Sequence, residues 1–307
     1  MNSNIAVLVP CYNEELTIST VVSDFHQALP QATIYVYDNA STDNTAEVAR
    51  GSGATVHQEK NKGKGNVIRR MFSDIEADIY IMVDGDDTYD STKCVEMVGQ
   101  LIKRNLDMIV GIRKTNNFDG EYRKGHVFGN WVLTSAVSLI FGGKFTDMLS
   151  GYRVMSRRFV KSFPIVSKGF EIETEMTVHA LQVGASYAEK ETIYNSRPEG
   201  SESKLSTFKD GIKILKMILL LFKEGRPFYF FGILSLLFFL VSFVLSIPIF
   251  ITYMDTGLVP RVPTALLSTG LMIMSFFSLV SGVILDSLGR SRLESKRLVY
   301  LSYKSSK

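Results

Sequence analysis

Cysteine is scarce in these 307 residues: only Cys11 and Cys94 are present. Two thiols in segments of different character do not make a disulfide framework, and they fit a reduced, cytosolic compartment. An excess of one charge sign is also lacking. A net charge of +3 does not by itself point to nucleic acid, and no nucleic-acid partner is expected. The opening stretch MNSNIAVLVPCYNEE lacks a basic leader and its apolar run is short, so the N-terminal part is expected to stay on the side of the membrane where it is made. There is no internal repeat and no low-complexity linker. With 46% hydrophobic and 21% charged residues, the chain can bury a large core and carry an appendage.

Two long gaps in charge define that appendage. No charged residue occurs from Phe228 to Met254, or from Val262 to Leu285, and each run exceeds the roughly 20 apolar residues needed to cross a bilayer. Lysine and arginine crowd before the first run (Lys209, Lys213, Lys216, Lys223, Arg226) and after the second (Arg290, Arg292, Lys296, Arg297), whereas the link between them carries one arginine. The positive-inside rule then predicts a transmembrane hairpin with both flanks cytoplasmic. Just upstream, Phe208, Ile212, Leu215, Leu219 and Phe222 recur every three or four residues with lysines off that face, which predicts an amphipathic helix at the membrane surface. The expected organisation is a cytoplasmic domain over 1–205, an interface helix over 206–226, a two-helix hairpin over 227–286 and a basic cytoplasmic tail over 287–307. The expected location is the cytoplasmic (inner) membrane, multi-pass, with both termini inside. Residues 128–141, FGNWVLTSAVSLIF, read as a core helix or as a second membrane-facing patch, with core preferred.

Before the hairpin, strand signals at 5–9, 33–37, 55–58, 79–83 and 108–111 alternate with helical stretches. That rhythm predicts an α/β domain with a mostly parallel, Rossmann-like sheet, whose ligands bind at the carboxyl ends of the strands. The polar stretches PCYNEE, DNASTDNT, DGDDTYD and GIRK all fall at such ends. In IYIMVDGDDTYD, Asp84, Asp86 and Asp87 are crowded together and Asp90 follows. Carboxylates this close raise one another's pKa, and a divalent cation relieves the repulsion. A hard cation with oxygen ligands, Mg²⁺ or Mn²⁺, also reaches out to phosphates.

The ordered set AVLVPCYNEE, YDNASTDNT, KNKGKGN and VDGDDT resembles the family-two glycosyltransferases of the GT-A fold. GIR, DMLSGYRVMSRR, GFEIETEM and RPEGSESKLS extend the resemblance, over roughly residues 5–222, to the branch that transfers a sugar to a polyprenyl phosphate. That branch includes dolichyl-phosphate mannose synthase and bacterial undecaprenyl-phosphate glucosyltransferases, and two C-terminal spans are similar to the bacterial members. The resemblance implies that Pro10, Tyr12, Asn13 and Glu14 line the base and ribose pocket, with Asp38 reaching the nucleoside and Lys62, Gly63 and Lys64 beside the donor. Asp84 and Asp86 match the acids that bind metal and donor. Thr88, standing where relatives often carry Gln, is a third metal position. Arg113 is placed to meet the donor diphosphate, Asp147 lies near the transferred sugar, and Glu173 and Glu175 hold the sugar or acceptor cations.

A phosphate acceptor explains why no general base is apparent, because its second pKa is about 6 and it is already nucleophilic at neutral pH. What it needs is cations. Arg123, Lys124, Arg153, Arg197 and Lys204, with Ser203 beside the last, are the candidates. The expected reaction is an inverting, in-line transfer from a nucleotide sugar to undecaprenyl phosphate. UDP is preferred over GDP, and glucose or N-acetylglucosamine over mannose, by analogy with the bacterial carriers. A processive polysaccharide synthase would need a Q-x-x-R-W motif, and Trp131 is preceded by Asn130. A membrane-tethered transferase acting on a hydroxyl, or a non-catalytic GT-A scaffold, are the alternatives. Exposed apolar helix faces are compatible with a homo-oligomer.

Overall fold

The structure is a computed structural model that describes residues 3–114, 124–198, 200 and 207–304; of 124–128 and 207–210 it describes the backbone only. Arg123, Ser203 and Lys204, and the side chains of Lys124, Phe208 and Lys209, lie outside the described residues. In chain order the elements are β1 (Ile5–Cys11), α1 (Ile18–Ala28), β2 (Thr33–Asp38), α2 (Thr45–Gly51), β3 (Thr55–Gln58), α3 (Lys64–Asp74), β4 (Ile79–Met82), α4 (Lys93–Lys103) and β5 (Met108–Lys114). Then come α5 (Lys124–Phe141), β6 (Arg153–Ser156), α6 (Arg157–Ser162), α7 (Ile172–Val183), β7 (Tyr187–Ile193), α8 (Thr207–Gly225), α9 (Pro227–Thr256) and α10 (Val262–Ser302). The chain forms two compact units, residues 1–218 with 296–307, and residues 219–295.

The first unit is built on a seven-stranded sheet of order β3-β2-β1-β4-β6-β5-β7. β1 pairs in parallel with β2 and β4, and β2 with β3. β1 reads IAVLVPC because both of its faces are covered. Ile5, Val7, Val9 and Cys11 enter one apolar cluster with α1 and α4, and Ala6 and Leu8 enter the other with α3 and α7. A central parallel strand is therefore apolar throughout instead of alternating.

Two strands were not expected. β6 runs antiparallel between β4 and β5, and it opens on an arginine in only four residues. β7 pairs with β5 in parallel and reads YAEKETI, the charge-rich pattern that protects an edge strand. Neither carries the apolar signature of a central strand, although β6 is one.

The second unit holds most of α9 and α10, of 30 and 41 residues. Both are long and apolar enough to cross a membrane. They pack through small residues seven positions apart. Ser235 and Ser242 on α9 meet Ser275 and Ser268 on α10. Ser242 Oγ donates to the Ser268 carbonyl at 2.8 Å, and Ser268 and Ser275 Oγ each donate back to Ser242 and Ser235 carbonyls at 2.9 Å. One heptad further on, Gly282 sits against Phe228 and Phe231. Small residues let apolar helices approach and pair their hydroxyls where water is absent.

Candidate active site

The ends of β1, β2 and β3 are joined by side chains that bind backbone. Asn13, at φ 53°, accepts from Thr42 N at 2.8 Å, while Glu14 N donates to Thr45 Oγ1 at 2.8 Å. Asn39 accepts from Gly63 N at 2.7 Å and donates to the Glu59 and Asn61 carbonyls. Asp38 is buried and accepts from Ser41 N at 3.3 Å. Lys62 lies 5.2 Å over the Tyr12 ring, and Pro10 is half-buried at the end of the same strand. The expected nucleoside residues Pro10, Tyr12, Asn13, Glu14 and Asp38 thus belong to one laced rim. Asn39, which ties that rim to the Lys62 loop, was missed although it directly follows Asp38.

The acidic stretch divides. Asp90 caps the next turn, accepting from Thr92 N and Oγ1, and the Asp87 carboxyl is pushed up by burial and by Asp24 before Asp86. Asp84 and Asp86 remain together. Asp84 Oδ1 receives Lys64 Nζ at 2.5 Å, and the same ammonium reaches Glu173 Oε1 at 2.6 Å. Burial opposes the Lys64 charge, but Asp84 and Glu173 outweigh it and hold the amine protonated. Burial pushes the Glu173 carboxyl up, with Lys64 opposing and Asp84 adding. Asp86 is 4% exposed. Its Oδ2 pairs with Arg197 Nη2 and its Oδ1 accepts from Thr88 Oγ1 at 2.6 Å. Burial and the like charge of Asp84 push the Asp86 carboxyl up, against the pull of Arg197.

Among the described residues no group of three or more His, Cys, Asp or Glu side chains could hold a metal ion. Two all-oxygen carboxylates that repel each other at a strand end nevertheless fit a hard cation that completes its shell with phosphate and water. The cradle is tight, because a Cβ on Gly151 would come 2.4 Å from Asp84 Oδ2. Gly151 is held in place by its N–H, which donates to Tyr89 Oη at 3.1 Å. Neither residue was singled out from the sequence, although Gly151 lies within the DMLSGYR stretch.

Several sequence assignments are corrected by these contacts. Thr88, 1% exposed, donates its hydroxyl to Asp86 and orients that carboxylate. Asp147 is 4% exposed and engaged by Arg113. It accepts from Arg113 Nε (2.8 Å), Nη2 (2.7 Å) and backbone N (3.2 Å), and from Asn130 Nδ2 (2.9 Å). Burial opposes its ionisation, yet Arg113 holds the carboxyl below the usual range. It fixes the Arg113 guanidinium, which lies 5.7 Å from the Tyr194 ring centre.

Arg153 cannot meet a lipid phosphate, because it is 0% exposed. Its guanidinium donates to the Ser150, Met148 and Glu173 carbonyls and to Thr177 Oγ1. Burial lowers its pKa to about 10, and it braces the loop that carries Asp147 and Gly151. Glu175 accepts from Val166 N and Ser167 N at 2.9 Å and from Ser167 Oγ. It thereby shapes the 166–168 loop, not a sugar pocket. Arg69 holds the same loop from α3 through three carbonyls. The approach that Gly63 and Gly65 permit is to that loop. At Gly63, where φ is +123°, a Cβ would come 2.1 Å from the Lys168 carbonyl oxygen, and at Gly65 2.4 Å from that of Ser167.

Comparison with known proteins agrees with this fold. Residues 6–163 match Glycosyl transferase family 2. The chain belongs to that family. Within glycosyl transferase family 2, it is 34% identical to glycosyltransferase AglJ of Haloferax volcanii over 74% of this chain and 75% of that protein. It is 60% identical to protein RfbJ of Shigella flexneri over 40% of this chain and 95% of that protein. A dolichyl-phosphate hexose transferase of Haloferax volcanii is 26% identical over 73% and 96% of the two chains. Glucosyl-3-phosphoglycerate synthase of Mycobacterium tuberculosis, solved with Mn²⁺ and UDP, shares the fold at TM-score 0.57 and 20% identity over 71% of this chain and 80% of that one. The protein is a glycosyltransferase with a GT-A catalytic unit.

Proposed function

We propose that this glycosyltransferase moves a sugar, with inversion, from a nucleoside diphosphate to a polyprenyl phosphate at the cytoplasmic face of a membrane. The observation that carries this reading is the surface of α8, the helix that follows Arg197 and precedes the spans. Ile214 and Ile218 are buried, Ile212, Leu215 and Leu219 form an exposed apolar stripe, and Lys213, Lys216 and Lys223 lie exposed beside it. An apolar stripe flanked by lysines suits the headgroup region of a bilayer. α5 offers a second apolar surface. Trp131, Val132 and Leu139 are exposed while Thr134 and Val137 are buried, so the core reading of this helix holds for one face only. A prenyl tail kept in the bilayer would present its phosphate between such surfaces. The dolichyl-phosphate hexose transferase relative supports a lipid acceptor, and neighbours solved with Mn²⁺ and UDP-glucose support UDP and a gluco-configured sugar.

The rim from Pro10 to Asp38, with Lys62, would hold the nucleoside. Arg113, aimed by Asp147, would meet the charge that develops on the departing diphosphate. Asp84 and Asp86 would hold Mg²⁺ or Mn²⁺, which when bound supplies positive charge to the diphosphate. The acceptor phosphate arrives already ionised and needs positioning cations, not a base; Arg197 is the described candidate, and Arg123, Ser203 and Lys204 lie outside the described residues.

The test uses purified full-length protein in detergent with undecaprenyl phosphate, Mn²⁺ or Mg²⁺ and radiolabelled UDP- and GDP-sugars, with label counted in the organic phase. Transfer from one donor, lost with EDTA and in Asp86→Ala, supports the reading and names the sugar. Nucleotide binding without any label in the organic phase would refute the lipid acceptor and favour a hydroxyl one.

A further inference from the structure

The two acidic side chains are neutralised in different ways. Lys64 is a built-in counter-ion. It stands in the first turn of α3, where Gly63 and Gly65 are wedged under the 167–168 carbonyls, and it is 10% exposed and shared between Asp84 and Glu173. Arg197 differs in every respect. It follows β7 in a stretch without regular secondary structure, and its side chain is 21% exposed. It comes to Asp86 from 111 residues away. The backbone just before it is fixed. Asn195 N donates to the Thr88 carbonyl at 2.8 Å, and Tyr194 bridges to Tyr89. The arginine is therefore tethered beside the acidic turn, in a segment that is neither helix nor strand.

Each Asp86 carboxylate oxygen already carries a side-chain partner. Thr88 takes Oδ1 and Arg197 takes Oδ2. A divalent cation and a guanidinium compete for that oxygen, because like charges at contact distance repel where burial lowers the dielectric. We propose that Arg197 is an exchangeable counter-ion: it holds Asp86 until a divalent cation takes the carboxylate, and the displaced guanidinium then receives the acceptor's phosphate. This rests on the reading of Asp84 and Asp86 as cation ligands, and it makes cation and phosphate binding mutually reinforcing. The two effects must be equal by linkage. A bidentate guanidinium suits a phosphate once it leaves a carboxylate of similar shape.

The experiment measures Mn²⁺ binding by electron paramagnetic resonance on the full-length protein in detergent, without nucleotide, for wild type, Arg197→Ala, Arg197→Lys and Asp86→Asn. Arg197→Ala should bind Mn²⁺ about tenfold more tightly than wild type, the order expected when one charge-assisted pair no longer competes. Arg197→Lys should fall between them, and Asp86→Asn should lose binding. Farnesyl phosphate should bind wild type more tightly with Mn²⁺ present, and this gain should vanish in Arg197→Ala. Equal Mn²⁺ affinity in wild type and Arg197→Ala, or an undiminished Mn²⁺ effect on farnesyl phosphate in the variant, would overturn the exchange while leaving the cation site standing. No Mn²⁺ binding to any form would overturn both.

Discussion

Gly151 lies where any side chain would press on the Asp84 carboxylate. Gly151→Ala should therefore displace that carboxylate, lowering kcat/KM by about 100-fold, as small misplacements of reacting groups do. The overpacking should cost about 1–3 kcal/mol of stability. Gly129→Ala, where nothing lies within 4 Å, is the control and should be neutral in both. Equal kinetics for the two variants would refute the cradle. His179 gives a pH signature. It is buried between Phe159 and Phe163, with Nε2 3.4 Å from Ser162 Oγ. Burial, with Lys296 adding, holds its pKa down to about 3. Because the unfolded imidazole titrates near 6.5, its contribution is fully present above that pH and is lost as pH falls toward 3. The slope is about 1.4 kcal/mol per pH unit. Denaturant titrations between pH 7 and 4.5 should show this slope in wild type and lose it in His179→Gln; parallel curves would sink the assignment.

Secondary elements carry a second layer of meaning, because most have one face committed to the core and one face left over. On α8 the leftover face is Ile212, Leu215 and Leu219 beside the lysines. Leu215→Glu combined with Leu219→Glu should raise KM for the polyprenyl phosphate at least about tenfold, since each leucine withdrawn from an apolar phase loses about 1.5–3 kcal/mol. UDP affinity, measured by calorimetry, should stay as in wild type; a matching fall in UDP affinity would mean that this face serves the donor site. The spacing of these leucines was plain in the chain. The buried ridge of Ile214 and Ile218 on the same helix was not, because periodicity shows that a face is apolar and not what covers it. β6 and β7 escaped for a related reason: a four-residue strand opening on arginine, and an edge strand rich in charge, have no apolar alternation to read.

At the scale of the whole chain, residues far apart in sequence complete the catalytic unit. Tyr300, at the end of α10, is 5% exposed. Its hydroxyl donates to Asp107 Oδ2 at 2.5 Å and its ring lies 4.4 Å over the Arg158 guanidinium. Asp107 also accepts from Arg158, Ser156 and Ser186. These bonds, the one from Tyr300 foremost, overcome the effect of burial and hold its carboxyl below the usual range. The end of α10 from Lys296 onward thus belongs to the first unit. Tyr300→Phe should cost about 1–3 kcal/mol, the penalty for a buried acceptor losing its donor. Asp107→Ala should cost about 3–5 kcal/mol by stranding a buried cation. Thermal midpoints of the full-length protein in detergent check both, and wild-type values would refute the docking.

The alternating α/β rhythm, the acid stretch at the end of β4 and the two spans were all decided by sequence alone. Each depends on residues close together along the chain: apolar runs, turn residues, or gaps in charge. Tertiary structure alone decided the partners. Nothing local shows that Lys64 bridges Asp84 to Glu173, that Arg197 reaches Asp86, or that Asp147 aims Arg113. An arginine reads alike whether it turns outward to a phosphate or, as Arg153 does, inward to three carbonyls and a hydroxyl. Which way it turns depends on whether buried acceptors from distant segments converge on it, and only the folded chain brings them there.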